Sequence, residues 1–185
     1  ARLIHERSRR SNGPFVAMGC GAISKELAAS ELFGHEKGAF TGALNRKTGQ
    51  FEMSEGGTLF LDEVTNLPHE IQTLLLRVLQ QKTMRSLGSN KEKDIDVRIV
   101  AASNEKISEA ISLGKFREDL YHRLNEFQIE VLPLRKRKDD IIFFSNNFLS
   151  GICKELHKET LDFDDEVKEA LIDYPWPGNV RDRKS

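Results

Sequence analysis

Eight residues, Gly56-Gly57-Thr58-Leu59-Phe60-Leu61-Asp62-Glu63, constrain this chain more than any other stretch. Two glycines lead into a short apolar run that opens on a β-branched residue and stops abruptly at two carboxylates. A run this short, bounded by glycines, suits a strand buried on both faces of a parallel sheet. In open α/β sheets ligands bind at the carboxyl ends of the strands. Two acids there suit a metal–nucleotide site, one holding Mg²⁺ and the other orienting a water. Taken alone, the same residues equally suit a core strand that ends in solvated acids.

The 185 residues are enough for one domain, with room for part of a second. Lys and Arg number 28 against 29 Asp and Glu, a net charge of −1, which argues against a dedicated nucleic-acid-binding domain. The basic clusters Arg7-Ser8-Arg9-Arg10 and Arg135-Lys136-Arg137-Lys138 are each followed by polar or acidic residues and read as solvated faces or loops. Cys20 and Cys153 stand far apart in no metal or redox spacing. They are expected to be buried, reduced thiols. No signal peptide, lipidation motif or membrane-length apolar run occurs, so the expected compartment is the cytoplasm, without a membrane partner.

Along the chain, Ala1 to Glu6 reads as a helix already under way, Asn12-Gly13-Pro14 as a turn, and Phe15 to Met18 as a strand. Ser24 can cap a helix from Lys25 to Leu32. Glycines break any pattern from Gly34 to Gly49, and Gln50 to Glu55 reads as a short helix. From Pro68 to Lys82, Ile71, Leu74, Leu75, Val78 and Leu79 recur at the spacing of one buried helical face. Met84 to Leu87 reads as a strand, Gly88 to Asp94 as a charged loop, and Asp96 to Ala102 as a second core strand. Helices near Ile107–Leu113 and Arg117–Leu124 and a strand Phe127–Val131 follow. Strands alternating with helices argue for an α/β fold, a parallel sheet with helices on both faces. Beyond Pro133 the patterns at Asp139–Leu156 and Asp164–Tyr174 are helical only, an incomplete small helical subdomain. The expected division is 1–136 and 137–185.

Four further features line up around the acidic strand end. In Glu31 to Ala43, Gly38, Ala39, Gly42 and Ala43 bracket Phe40 and Thr41, so the backbone can turn tightly and present Phe40 at a loop tip. An exposed Phe fits a partner surface, while the bland reading folds its ring back into the core. Asn104, after Ser103, could hold a γ-phosphate or an attacking water, or else cap the segment beginning at Glu105. Arg117 and Arg123 flank an apolar helix face, either as planar cations for a transferring phosphoryl group or as surface arginines paired with Glu118 and Asp119. In Trp176-Pro177-Gly178-Asn179-Val180-Arg181, Pro and Gly set up a helix start that points Arg181 outward, a candidate third cation.

Over nearly its whole length the sequence resembles the central AAA+ ATPase domain of sigma-54-dependent transcriptional activators, the bacterial enhancer-binding proteins. Gly38 to Ala43 spells the family's GAFTGA loop, and Gly56 to Glu63 is similar to its Walker B strand. Ser103-Asn104 resembles sensor one, Phe116–Leu124 the arginine-finger helix, and Trp176–Arg181 sensor two. The resemblance implies an AAA+ P-loop NTPase fold binding ATP and Mg²⁺. Asp62 would coordinate Mg²⁺ and Glu63 would polarise the attacking water. Asn104 would sense the γ-phosphate, Arg117 and Arg123 would reach into a neighbouring protomer's nucleotide, and Arg181 would contact nucleotide in cis. Phe40 and Thr41 would touch sigma-54 at the pore face of a hexameric or heptameric ring that remodels the closed RNA polymerase complex.

Three departures qualify that expectation. No G-x-x-x-x-G-K-[ST] occurs in the 185 residues, so the family's first strand and phosphate loop are missing and the chain on its own is expected to grip ATP poorly. Gly19 stands where the family usually has an Asn that holds the Walker B glutamate. After Arg181 the family continues Glu-Leu, whereas Asp182-Arg183-Lys184-Ser185 follows here, without the family's DNA-binding helix-turn-helix. The sequence therefore reads as a piece of a longer protein, either the core of an ATPase or an interaction module that keeps only the sigma-54-contacting loop.

Overall fold

The computed structural model describes residues 1–159 and 161–180, in one unit spanning Ala1–Phe127 and another that begins at Gln128. The first unit runs α1 (Arg2–Glu6), β1 (Phe15–Gly19), α2 (Lys25–Phe33), α3 (Gln50–Met53) and β2 (Thr58–Asp62). It continues through α4 (His69–Gln81), β3 (Thr83–Met84), β4 (Lys93–Asp94), β5 (Arg98–Ala101), α5 (Ile107–Ser112) and α6 (Glu118–Leu124). The second contains α7 (Lys138–Glu155) and α8 (Asp165–Asp173).

The glycine-bounded apolar run is β2, the middle strand of a parallel sheet ordered β1-β2-β5. Leu61 pairs with Met18 on one side and Ala101 on the other, which brings three strand ends together at Gly19, Asp62 and Ala102. Thr58, Leu59 and Leu61 are fully buried, and Asp62 is the first exposed residue of the strand. The Thr58 hydroxyl, buried among apolar side chains, lies 3.0 Å from Nδ1 of buried His5, which ties α1 to the sheet. The face expected on α4 is there: Ile71, Leu75 and Val78 are buried, with Leu74 and Leu79 packed at its margin. Each such side chain, fully buried, contributes about 1.5–3 kcal/mol of transfer free energy.

Several expectations are corrected. The strand expected at Asp96–Ala102 is shorter and half exposed, because β5 pairs only with β2 among the described residues. Phe127–Val131 is no strand: its alternating apolar side chains are exposed and no ladder forms there among the described residues, and an extended segment without a neighbour is not a sheet. The strand expected at Met84–Leu87 reduces to two-residue β3, which pairs antiparallel with β4 inside the expected charged loop. Ser24 occupies the cap position of α2 with extended backbone, yet its side chain makes no capping bond. Nor is the first basic cluster wholly solvated, since Arg10 forms a two-pronged ion pair with Asp96.

In the second unit Leu134, Ile141 and Trp176 form a small core, with Phe144, Leu171 and Val180 packed against it. The Trp176 indole N–H donates to the Leu171 carbonyl at 2.8 Å, and the Leu134 amide donates to Asn179 Oδ1 at 2.8 Å. Trp176 and Asn179 adopt left-handed backbone, so the expected helix start after Pro177 is a run of turns. Arg181 lies outside the described residues.

Candidate functional site

The three strand ends build the site. Beyond Asp62 the chain turns sharply: Glu63 has φ 54°, a left-handed conformation that costs a non-glycine residue about 1–2 kcal/mol. The Asp62 carboxylate accepts the Glu63 amide at 3.1 Å. The next residue locks onto β5's end, with the Val64 N–H donating to the Ala102 carbonyl at 2.9 Å. The hydroxyls of Thr65 and Ser103 lie 3.4 Å apart, so the acids and the Ser103-Asn104 pair leave neighbouring strands side by side. Asn104 itself is exposed, with no side-chain hydrogen bond among the described residues, and caps no helix, since α5 starts after Lys106. Strain at a candidate catalytic residue supports a role for Glu63 beyond folding.

On the β1 side Glu63 is fitted against Gly21. A Cβ added at Gly21 would fall 2.1 Å from Glu63 Oε2. The same oxygen accepts a hydrogen bond from the Asn66 amide at 3.2 Å. Gly19, where a family Asn is expected, has open space around its Cβ position. In this chain the amide that bonds Glu63 therefore comes from Asn66, three residues along. Gly21→Ala is expected to displace the Glu63 carboxylate and break its hydrogen bond to Asn66, whereas Gly19→Ala should leave both in place, which crystal structures of the two variants would check.

The acids also act on Cys20, which is buried beside them. Burial first, then the charges of Asp62 and Glu63, push its thiol pKa up to about 12. Because the folded-state value is raised, the stability this thiol contributes is whole below the ordinary value of about 9 and is lost as pH rises through about 12. At pH 8.5 iodoacetamide should leave native Cys20 unmodified and alkylate it only after denaturation, as mass spectrometry would read. Rapid native labelling would contradict the burial. The expectation that both cysteines are buried holds.

Asp62 offers an exposed hard oxygen donor, and no group of three or more His, Cys, Asp or Glu that could hold a metal occurs among the described residues. One carboxylate with the remaining ligands from phosphates and water is the donor set Mg²⁺ takes beside a nucleotide, so the residues fit that ion.

The arginines have other partners. Arg117 grips Asp119 through two parallel hydrogen bonds, at 2.9 and 2.6 Å. The bond to Asp119 raises the guanidinium pKa, and the bond to Arg117 lowers that of the Asp119 carboxyl. Arg123 donates to the Leu79 carbonyl at 3.1 Å. Neither shares a hydrogen bond with Asp62, Glu63 or Asn104 among the described residues. The glycine loop is a separate surface: Gly38 N–H donates to the Ala43 carbonyl at 2.8 Å, closing a tight loop whose Phe40 is 41% exposed. Gly38 and Gly42 have φ of 83° and 101°, the backbone that favours glycine.

The family profile described as Sigma-54 interaction domain matches residues 1–130. This chain belongs to the sigma-54 interaction domain family. Residues 135–184 match the AAA+ ATPase lid domain. The sigma-54-dependent transcriptional activator SfnR of Pseudomonas putida is 50% identical over 182 residues, 98% of this chain and 50% of that protein. The DNA-binding transcriptional regulator NtrC of Rhizobium meliloti is 50% identical over 185 residues, 98% of this chain and 37% of that protein. The crystal structure of NtrX from Brucella abortus in complex with ADP superposes with a TM-score of 0.87 at 35% identity, over 98% of this chain and 39% of that one. The chain thus spans half or less of these relatives.

Within this sigma-54 interaction domain, three residues escaped the sequence reading. Asn66 and Gly21 shape the Glu63 carboxylate, and an amide three residues past an acid was the available signal. The third is Gln72, 0% exposed in the first turn of α4. Its amide donates to the carbonyls of Leu67 and Lys115, each at 2.8 Å, and its oxygen accepts the Arg117 amide at 2.9 Å. A polar residue on a predicted apolar helix face was the sign that it holds something.

Proposed function

We propose that this chain is the ATP-hydrolysing, sigma-54-contacting core of a transcription activator that assembles as a hexameric or heptameric ring. The observation that carries the reading is the junction of Asp62 and Glu63 with Ser103-Asn104 across the Val64–Ala102 hydrogen bond. Bound through Asp62, Mg²⁺ would neutralise charge on the triphosphate. Glu63, held by Asn66 and Gly21, takes the proton of the attacking water. Asn104, whose side chain makes no hydrogen bond among the described residues, reaches the γ-phosphate. Arg117 and Arg123 serve the nucleotide of an adjoining protomer, which fits the fact that neither bonds its own chain's Asp62 or Glu63 among the described residues. Phe40 and Thr41 then pass the mechanical change to sigma-54, remodelling the closed polymerase complex.

Trans arginines make activity depend on assembly. In a chain joined to a G-x-x-x-x-G-K phosphate loop, ATP turnover per protomer should rise steeply with protein concentration, in step with ring formation seen by light scattering. Flat specific activity across that range would overturn the trans assignment.

A further inference from the structure

The root of the glycine loop holds a buried imidazole. His35 is 9% exposed, and a buried imidazole needs a polar partner. Its Nδ1 lies 2.7 Å from the hydroxyl of Ser30, itself 2% exposed in the last turns of α2. The backbone is fixed on both sides as well. His35 and Lys47 exchange N–H to carbonyl bonds of 3.0 and 2.9 Å. Leu87 donates to the Gly34 carbonyl and accepts from the Glu36 amide, both at 2.9 Å. The imidazole is therefore held in place before the loop begins.

The Phe40 ring packs edge-on against that imidazole, with centroids 4.9 Å apart and planes at 69°. Around Gly38 and Gly42 there is open space, so the tip is not packed at its glycines. Ala39 rests against Gly88, and Phe40 rests on His35. The ring contact is thus what orients the tip's one large side chain while leaving it 41% exposed. An edge-to-face pair of this kind favours one orientation about two- to tenfold.

We propose that His35 is a positioning residue for Phe40, a fixed imidazole that holds the ring in one orientation for transfer to an apolar pocket on sigma-54. This rests on the reading of the loop as the sigma-54 surface. The histidine does not touch the partner. It acts by sparing the loop the entropy of ordering its tip on docking.

Hydrogen exchange on the 185-residue chain tests it. In His35→Gln, exchange of the hydrogen-bonded loop amides of Gly38, Ala39 and Ala43 should rise about two- to tenfold while exchange in α4 stays at the parent rate. The double variant Ser30→Ala/His35→Phe, which keeps an aromatic ring and removes the hydroxyl left without its partner, should restore the parent rate at the tip. The His35 ring protons should shift in the NMR spectrum of Phe40→Leu as the neighbouring ring current is lost. Cross-linking to purified sigma-54 should weaken about two- to tenfold in His35→Gln and be lost in Phe40→Ala. Unchanged exchange at the tip with unshifted ring protons overturns the positioning role, as does faster exchange that spreads into α4. If Phe40→Ala cross-links as well as the parent while the exchange result stands, the docking reading fails instead.

Discussion

Gln72→Leu is expected to lower the unfolding free energy by about 3 to 5 kcal/mol. The residue is fully buried, and leucine nearly matches its volume, so little cavity forms. What changes is the polar accounting. The carbonyls of Leu67 and Lys115 and the amide of Arg117 each lose their partner at once. A buried backbone group left unsatisfied costs about 1–3 kcal/mol, and three at the low-to-middle of that range give the figure. The Lys115 and Arg117 contacts are only part-buried, and water can reach them, which keeps the sum below the maximum. Thermal unfolding followed by circular dichroism should show a midpoint lower by on the order of 10 °C. Gln72→Glu should cost at least as much at neutral pH, because it keeps the acceptor for Arg117 but turns an unpaired buried carboxylate oxygen toward the carbonyls of Leu67 and Lys115. A loss under about 1 kcal/mol for leucine would mean the loop from Lys115 to Arg117 rearranges freely, and that Gln72 does not hold the start of α6.

How much of this was legible in the sequence depended on the range of the interactions involved. The acid-tipped strand was readable because burial of Thr58, Leu59 and Leu61 and the exposure of Asp62 are written in local pattern. The face of α4 was readable for the same reason, through the recurrence of Ile71, Leu75 and Val78. Strand identity at Phe127, Ile129 and Val131 was not: alternation marks an extended chain, but a sheet also needs a neighbour that local pattern cannot supply. The half exposure of β5 failed for the same cause, since edge and centre strands share a composition. Gln72 and Asn66 were missed because their value lies in side-chain hydrogen bonds that no periodicity encodes, to partners 5, 43 and 45 residues from Gln72 and 3 from Asn66. Phe40 fell between its two readings, neither buried in the core nor free, with its ring on His35.

The larger chemical effect is expected at Glu63. A carboxylate that takes a proton from the attacking water contributes about 10²–10⁴ in rate. Glutamine matches its shape, fits the same space against Gly21, and offers an oxygen to the Asn66 amide. It lacks only the basicity. Glu63→Gln should therefore leave the fold and nucleotide affinity intact and remove turnover, a loss in kcat without a matching rise in KM. Asp62→Asn should differ in kind, weakening the Mg²⁺ dependence of nucleotide binding as well as the rate.

The claim beneath all of this is that β2 ends in the hydrolytic acids of a nucleotide site. It meets its most direct test in the steady-state ATP turnover of the chain joined to a phosphate-binding loop, with and without Glu63→Gln. The expected result is a fall of about 10²–10⁴ in kcat at unchanged nucleotide affinity. Equal turnover in the two proteins would contradict it.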